Sequence, residues 1–383
     1  MNNWKETTLG EVAELAKDQW MVGDEDQKYI GLEHINQGDL QINGFGCSSS
    51  LQSNKFYFKE GDVLFGKLRP YFRKVWKASF DGVCSTDIWV IRAKEGYDQN
   101  FLFYFMANPV LIDKSTGAST GTKMPRADWD FLKGTEWSFP PLPEQKAIAA
   151  ILSGFDDKIE LLRRQNKTLE SSAQTIFKEW FIKFKVKGEE LKINSKTGLP
   201  EGWRMGKLGE ILAVFDSKRI PLSGEERAKR KGKYPYYGAT EIMDYIDDYI
   251  FDGIYVLLGE DGSVIDDRGY AVLQYVWGKI WVNNHAHVLQ GKNGWSTETL
   301  YLLLKRMPVS GIITGAVQLK INQENLLNIG IVLPDKEVLE KFDSVIQPIF
   351  NKIRNNNSQI QTLSKLRDAL LPKLMKGEIR VKP

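Results

Sequence analysis

Cysteine is scarce in this chain, with only Cys47 and Cys84 among 383 residues. Two thiols cannot build a disulfide framework, so a reducing compartment is expected. Histidine is nearly as rare. His34 stands alone, and His285 with His287, two apart, would face one side of a strand without a cysteine pair to complete a metal site. No metal site is therefore expected. No apolar run approaches the roughly 18 residues needed to cross a membrane, and the opening MNNWKETTLG lacks a basic-then-apolar secretion pattern. These absences point to a cytoplasmic protein without a membrane partner. Catalytic signatures are missing too: there is no Asn-Pro-Pro-aromatic tetrapeptide, no glycine-rich cofactor loop after a strand and no Walker sequence. A formal net charge of +3 permits nucleic-acid binding without demanding it, because local charge density is the useful quantity.

What the chain does have is a repeat. WKETTLGEV at Trp4 leads to PPLPEQKAIAAIL at Pro140, and GWRMGKLGEI at Gly202 leads to VLPDKEVLEKF at Val332. Thr120-Gly121 and Thr314-Gly315 precede the two Leu-Pro steps. A duplicated chain of this kind can imitate a two-fold dimer, and its partners are often two-fold themselves. Between the landmarks, short apolar runs such as DVLFGKL, TDIWVIRA, GIYVLLG, YAVLQYVWGKIWV and AHVLQ predict strands. Helices are predicted from Phe101 to Ser115 and from Thr297 to Met307.

Two longer helices follow the repeated blocks. After Pro143, Ile148, Leu152, Phe155, Ile159, Leu162, Asn166, Leu169, Ala173, Ile176 and Trp180 alternate by four and three, the seam spacing of a coiled coil. The second seam runs Leu339, Phe342, Ile346, Ile349, Ile353, Asn356, Ile360, Leu363, Arg367, Leu370 and Leu374. Each seam holds one central Asn. Setting Asn166 opposite Asn356 in an antiparallel pair brings Phe155 to Arg367, Ile159 to Leu363, Leu162 to Ile360, Leu169 to Ile353, Ala173 to Ile349 and Ile176 to Ile346. A one-heptad slip would strand both amides against apolar neighbours at roughly 1–3 kcal/mol each, so the two Asn residues are predicted to fix the register. Independent amphipathic packing helices are the alternative.

The chain resembles the specificity subunit of Type I restriction-modification systems along essentially its whole length. The resemblance rests on PLPEQKAIAAILSGFDDKIELLRRQN, LPDKEVLEKFDSVIQPIFNKIRNNN and the terminal LRDALLPKLMKGEI. Inside the blocks it rests on DVLFGKLRPYFRKVW with FDGVCSTDIWVIR, and LLGEDGSVIDDRGY with WVNNHAHVL. It implies an α+β fold in which two mixed α/β target-recognition domains, residues 1–142 and 188–333, alternate with helical regions 143–187 and 334–383. The helices would form an antiparallel coiled coil in a pseudo-two-fold repeat. It further implies a non-catalytic subunit that reads a bipartite site on double-stranded DNA. Two methyltransferase subunits would dock on the helices and restriction subunits would join through the complex. S-adenosylmethionine, ATP and magnesium would sit on those partners, leaving no cofactor in this chain. Because GKLRPYFRK and GEDGSVIDD differ so much, the two half-sites are expected to differ.

Three stretches carry the candidate DNA contacts. In GKLRPYFRKVWK, Lys67, Arg69, Arg73 and Lys74 lie among Tyr71, Phe72 and Trp76; basic side chains neutralise phosphates and arginine reads guanine in a two-pronged bond. A strand with a solvated basic face is the alternative. Thr122, Lys123 and Arg126 lie in STGTKMPR, a composition that lets backbone amides approach phosphate and also suits an ordinary loop. The densest basic stretch holds Lys218, Arg219, Lys229, Arg230 and Lys231 ahead of Tyr237, and its Gly and Pro content predicts a mobile loop that orders on DNA. Lys320 occupies the place of Lys123 in the second copy.

Two further features need a reading. Asp244, Asp247 and Asp248 suggest either a nuclease metal cluster or a solvated turn, and an unrecognised nuclease or methyltransferase activity of the chain itself is the competing functional hypothesis. Phe177, Phe181 and Leu371 are extra apolar residues outside the helical seams, available to a partner or to the chain's own domains.

Overall fold

The computed structural model describes residues 4–119, 124–262, 264–266, 268–315 and 319–382. The chain divides into two compact units, residues 1–163 with 357–383, and residues 164–356. Each unit therefore combines a globular block with one stretch of each long helix. The sequence divides more simply into four consecutive pieces, but burial does not follow chain order. Phe177 and Phe181 sit in the core cluster of the second unit with Trp203, Leu300 and Phe342, and Leu371 sits in that of the first with Phe101, Leu102 and Ile148. These three side chains are 1–8% exposed, so they pack on the chain's own domains and offer nothing to a partner.

In the first unit, Lys5–Thr8 pairs with Glu136–Phe139 and closes the block just before the helix. A four-stranded antiparallel sheet follows the order Ala13–Ala16, Ile88–Ala93, Val63–Gly66, Val75–Lys77. Val63, Leu64 and Phe65 are all buried, which explains why the run is apolar throughout instead of alternating. A five-stranded sheet lies beside it in the sequence, built on Lys55–Phe58 and Gly82–Cys84. The single helix predicted from Phe101 is in fact two, Gln99–Ala107 and Pro109–Gly117. Pro109 cannot supply an amide and pushes Asn108 out of the helical region, where Asn108 accepts from the amide of Val110 at 3.2 Å and caps the second helix.

The second unit repeats this plan. Arg204–Lys207 pairs with Gly330–Leu333, and the sheet runs Leu212–Val214, Ala286–Gly291, Phe251–Gly259, Leu273–Val282. The first-fourth-second-third strand order matches the first unit. Two strands extend it, Lys231–Tyr237 and the edge strand Ile242–Ile246. The helix that follows covers Thr297–Leu304 and is capped by Ser296, as Gln99–Ala107 is capped by Asp98.

The long helices span Leu142–Phe181 and Lys336–Met375. Within the second unit the Asn356 amide donates to Asn166 Oδ1 at 2.9 Å, and further along the Trp180 and Phe342 rings lie 5.5 Å apart. Residue number rises on one helix as it falls on the other, so the pairing is antiparallel and the two amides share a layer. Within the first unit, Arg367 is 1% exposed and donates to Asp156 Oδ1 at 2.6 Å, while Tyr104 donates to Asp156 Oδ2 at 2.7 Å. Arg367 faces the neighbourhood of Phe155, as the seam spacing predicts, and the adjacent acid neutralises it.

Each unit also ties its globular block to the helices through buried polar groups. Glu144 accepts from Trp4 Nε1 at 3.1 Å and from Arg380 at 2.7 and 2.8 Å, and the guanidinium holds its carboxyl below the usual range. In the second unit Glu298, 3% exposed, accepts from Tyr275, Gln347 and Arg354 at 2.8, 3.0 and 2.6 Å. Burial opposes ionisation there, yet these donors keep the carboxyl below its ordinary value. Such groups are costly to strand and therefore specify one arrangement of block on helix.

Candidate nucleic-acid interface

The first basic segment is a loop and not a strand. Gly66 ends its strand where a Cβ would come within 2.8 Å of Leu32 Cδ2, and the chain then turns through a short 3-10 helix at Pro70–Phe72. Arg69 and Arg73 flank this turn, both at φ +51°. Left-handed backbone at a non-glycine costs on the order of 1 kcal/mol or more and clusters at working surfaces. Among the described residues, neither arginine has a partner for its buried Nε. Arg69 lies 5.9 Å from the Phe72 ring, and Tyr71 is 48% exposed. Lys74 differs from the arginines: its Nζ donates to the Leu32 carbonyl at 2.5 Å, and burial lowers its pKa. It anchors the loop base.

The second candidate segment lies against the first. Arg69 N donates to Pro125 O at 2.7 Å and Ala127 N to Lys67 O at 2.8 Å, with Leu68 and Arg126 forming a bridge. Exposed Arg126 thus joins Lys67 and Arg69, held by Asp87 at 3.0 Å. Thr122 and Lys123 lie outside the described residues.

The second unit uses the same backbone clip. Gly262 N donates to Leu319 O at 3.1 Å and Ile321 N to Glu260 O at 2.9 Å, and Asp261 bridges Lys320. Lys67 N donates to Asp87 O, and Glu260 N to His285 O. These bonds equate Lys67, Leu68 and Arg69 with Glu260, Asp261 and Gly262, Arg126 with Lys320, and Asp87 with His285. Lys320 therefore corresponds to Arg126, three residues beyond the Lys123 of the sequence alignment. The charge pattern changes between the units: Glu260 replaces Lys67, Asp261 replaces Leu68 and Gly262 replaces Arg69, while Arg126 and Lys320 are both basic. Asp261 accepts from His285 Nδ1 at 2.7 Å, and Lys320 reaches Glu260 at 3.3 Å.

The densest basic stretch is folded, against the expectation of a mobile loop. Ser223 and Glu226 form a reciprocal cap that starts the helix Gly224–Lys229, and Lys231–Tyr237 is a strand. Acids on the paired strand and its turn neutralise much of it: Arg230 meets Asp247 at 2.9 Å, and Lys231 meets Asp244 at 2.6 Å. The acids Asp244 and Asp247, with Asp248 at 3.8 Å from Arg230, are thus ion-pair partners. Tyr237 is largely enclosed, and burial pushes its phenol up to about 12. Lys218 and Lys229 remain exposed.

Arg219 is held inside the unit, donating to Glu260 and to the Ala286 carbonyl, both at 2.7 Å. It borders a small group in which Asp216, Glu260 and His287 place ligand atoms within 4.8 Å of one another. His287 bonds Asp216 Oδ2 through Nδ1 at 2.5 Å and the Ile321 carbonyl through Nε2 at 2.8 Å. Both partners only accept, so both ring nitrogens carry protons and neither offers a lone pair to a metal. Burial opposes that charge, but the Asp216 carboxylate keeps the imidazolium pKa above its usual value. His285 lies before the strand that carries His287, and the two rings face different surroundings.

A family model described as the Type I restriction modification DNA specificity domain matches residues 1–171 and 200–365. The chain belongs to this specificity family. The specificity subunit of the Type I restriction enzyme MjaIX from Methanocaldococcus jannaschii is 32% identical over 309 residues, covering 75% of this chain and 71% of that protein. The HindI specificity subunit from Haemophilus influenzae is 24% identical over 473 residues, covering 99% and 100%. The S subunit of a Type I system from M. genitalium shares the fold, with a TM-score of 0.54, 16% identity and coverage of 97% and 96%. Among the features of this fold, several strand segments and the paired helices were legible as sequence patterns, whereas the strand order came only with the structure. The clip that joins Lys67–Arg69 to Arg126 was not legible either, because no linear motif marks a hydrogen bond spanning more than fifty residues.

Proposed function

We propose that the chain is the DNA-reading subunit of a Type I restriction-modification complex. Each unit contacts one half of a bipartite, asymmetric site on double-stranded DNA, through the clipped loops around Arg69, Arg73 and Arg126 in the first and around Asp261 and Lys320 in the second. The observation that carries this reading is the same clip built twice with different side chains, in a chain of the specificity family. Duplicated backbone with divergent loop chemistry suits a reader of two unlike half-sites. Lys67, Lys218 and Lys229 supply phosphate contacts. The paired helices separate the recognition blocks and dock two methyltransferase subunits, through which restriction subunits join. Catalysis, with S-adenosylmethionine, ATP and magnesium, belongs to those partners in the cytoplasm.

The test uses the purified full chain with duplex DNA, first alone in a salt series and then with S-adenosylmethionine and Mg²⁺ supplied separately. Binding that weakens steeply with salt, without methyl transfer or cleavage, is the expected result. Turnover by the chain alone would replace this reading with an enzymatic one.

A further inference from the structure

The two clips differ in hydrogen-bonding polarity, and that difference bears on which bases each can read. At equivalent backbone positions the first unit presents Lys67, Leu68, Arg69 and Arg126, and the second presents Glu260, Asp261, Gly262 and Lys320. The polar members of the first set are all donors, and Asp261 places an acceptor where the first unit has the apolar Leu68. In the second, Glu260 is 15% exposed and engaged by Arg219 and Lys320, so it is committed to the fold. Asp261 remains at the surface edge of the clip, 21% exposed, and His285, 46% exposed, fixes it through one ring nitrogen at 2.7 Å. A carboxylate oriented by a neighbouring imidazole keeps further acceptor positions open. Its charge is unfavourable beside a phosphate backbone, so its use at a DNA-facing loop is to accept from a base.

We infer that Asp261, positioned by His285, is a specificity-determining residue that accepts from the exocyclic amino group of a cytosine, while Arg69 and Arg73 donate to a guanine in the other half-site. This rests on the reading in which each unit contacts DNA. The major-groove edge of cytosine offers an amino donor and that of guanine two acceptors, matching the acceptor loop and the donor loop in turn. The carboxylate discriminates against thymine and guanine, which present acceptors where it needs a donor.

The experiment selects bound sequences from randomised duplex DNA with the full-length chain and compares the wild type with Asp261→Ala, Asp261→Asn and His285→Gln. The wild type is expected to select two half-sites separated by unspecified bases. Asp261→Ala is expected to relax one position of a single half-site roughly tenfold, leave the other half-site unchanged, and tighten total DNA binding at low salt because a negative charge is gone. Asp261→Asn moves the preference at that position toward adenine, whose edge an amide matches. His285→Gln weakens the same preference without abolishing it. This split, weaker selectivity with stronger affinity, is not what a merely structural residue produces. Base frequencies unchanged in both Asp261 variants would overturn the inference while leaving DNA reading intact. Failure of the wild type to select any sequence would instead overturn the DNA reading and the inference with it.

Discussion

Arg367 offers the sharpest test of how the first unit is held together. Its guanidinium is 1% exposed, sits at a seam position of the second long helix and donates to Asp156 on the first at 2.6 Å. Tyr104, on the Gln99–Ala107 helix, donates to the other oxygen at 2.7 Å. Burial by itself would lower the arginine's pKa, but Asp156 and Asp368 raise it above the ordinary value. Arg367→Met keeps the apolar stem and removes the charge, leaving Asp156 with one neutral donor. Removing one member of a buried pair costs roughly 3–5 kcal/mol. Asp156 is 13% exposed and keeps Tyr104, so a loss near the lower bound, about 3 kcal/mol, is expected. With a urea slope of roughly 2–3 kcal/mol/M, the unfolding midpoint of the first unit falls by about 1–1.5 M. Far-ultraviolet circular dichroism with an aromatic fluorescence probe follows it. The double variant Asp156→Leu/Arg367→Met removes both charges and should recover to within about 1–2 kcal/mol of the wild type, since a hydrophobic pair can replace a buried ion pair. A single variant that loses under about 1 kcal/mol, or a double variant whose losses merely add, would refute the claim that the uncompensated carboxylate is the source of the cost.

Other predictions follow from the same contacts. Asn356→Leu should cost about 1–3 kcal/mol by leaving the Asn166 amide without this partner. Asn166→Leu/Asn356→Leu should regain stability yet lose register, read as new cross-links between engineered cysteine pairs one heptad apart. His287 has a raised folded pKa, so its ion pair contributes fully below the usual imidazole value near 6.5 and is lost as pH rises through the higher folded value. The second unit's urea midpoint should therefore decline above about pH 6.5 in the wild type, and the decline should flatten in His287→Gln. Arg69→Ala should weaken DNA binding and relax the preference at one base of one half-site, with little change in the slope of log affinity against log salt. A slope reduced by about 1 with base preference unaltered would assign Arg69 to a phosphate and refute its base-reading role.

The alternation of apolar residues by three and four marked the long helices and their seams, because seam spacing is local and periodic, and the central Asn in each seam pointed to the Asn166–Asn356 layer that the structure shows in an antiparallel pair. The apolar runs likewise placed Val63–Gly66, Ile88–Ala93 and Phe251–Gly259. Composition misled where burial or pairing overrode it. The basic stretch from Lys218 read as a mobile loop, yet its capping box and the acids of the paired strand fold and neutralise it. Phe177, Phe181 and Leu371 read as spare surface, yet they fill cores. Length, duplication and periodicity thus determined the plan of the chain by themselves. Only tertiary structure decided which charges remain available, because partners such as Arg126 with Asp87 or Asp261 with His285 are remote in sequence and meet through backbone bonds between loops at the strand ends.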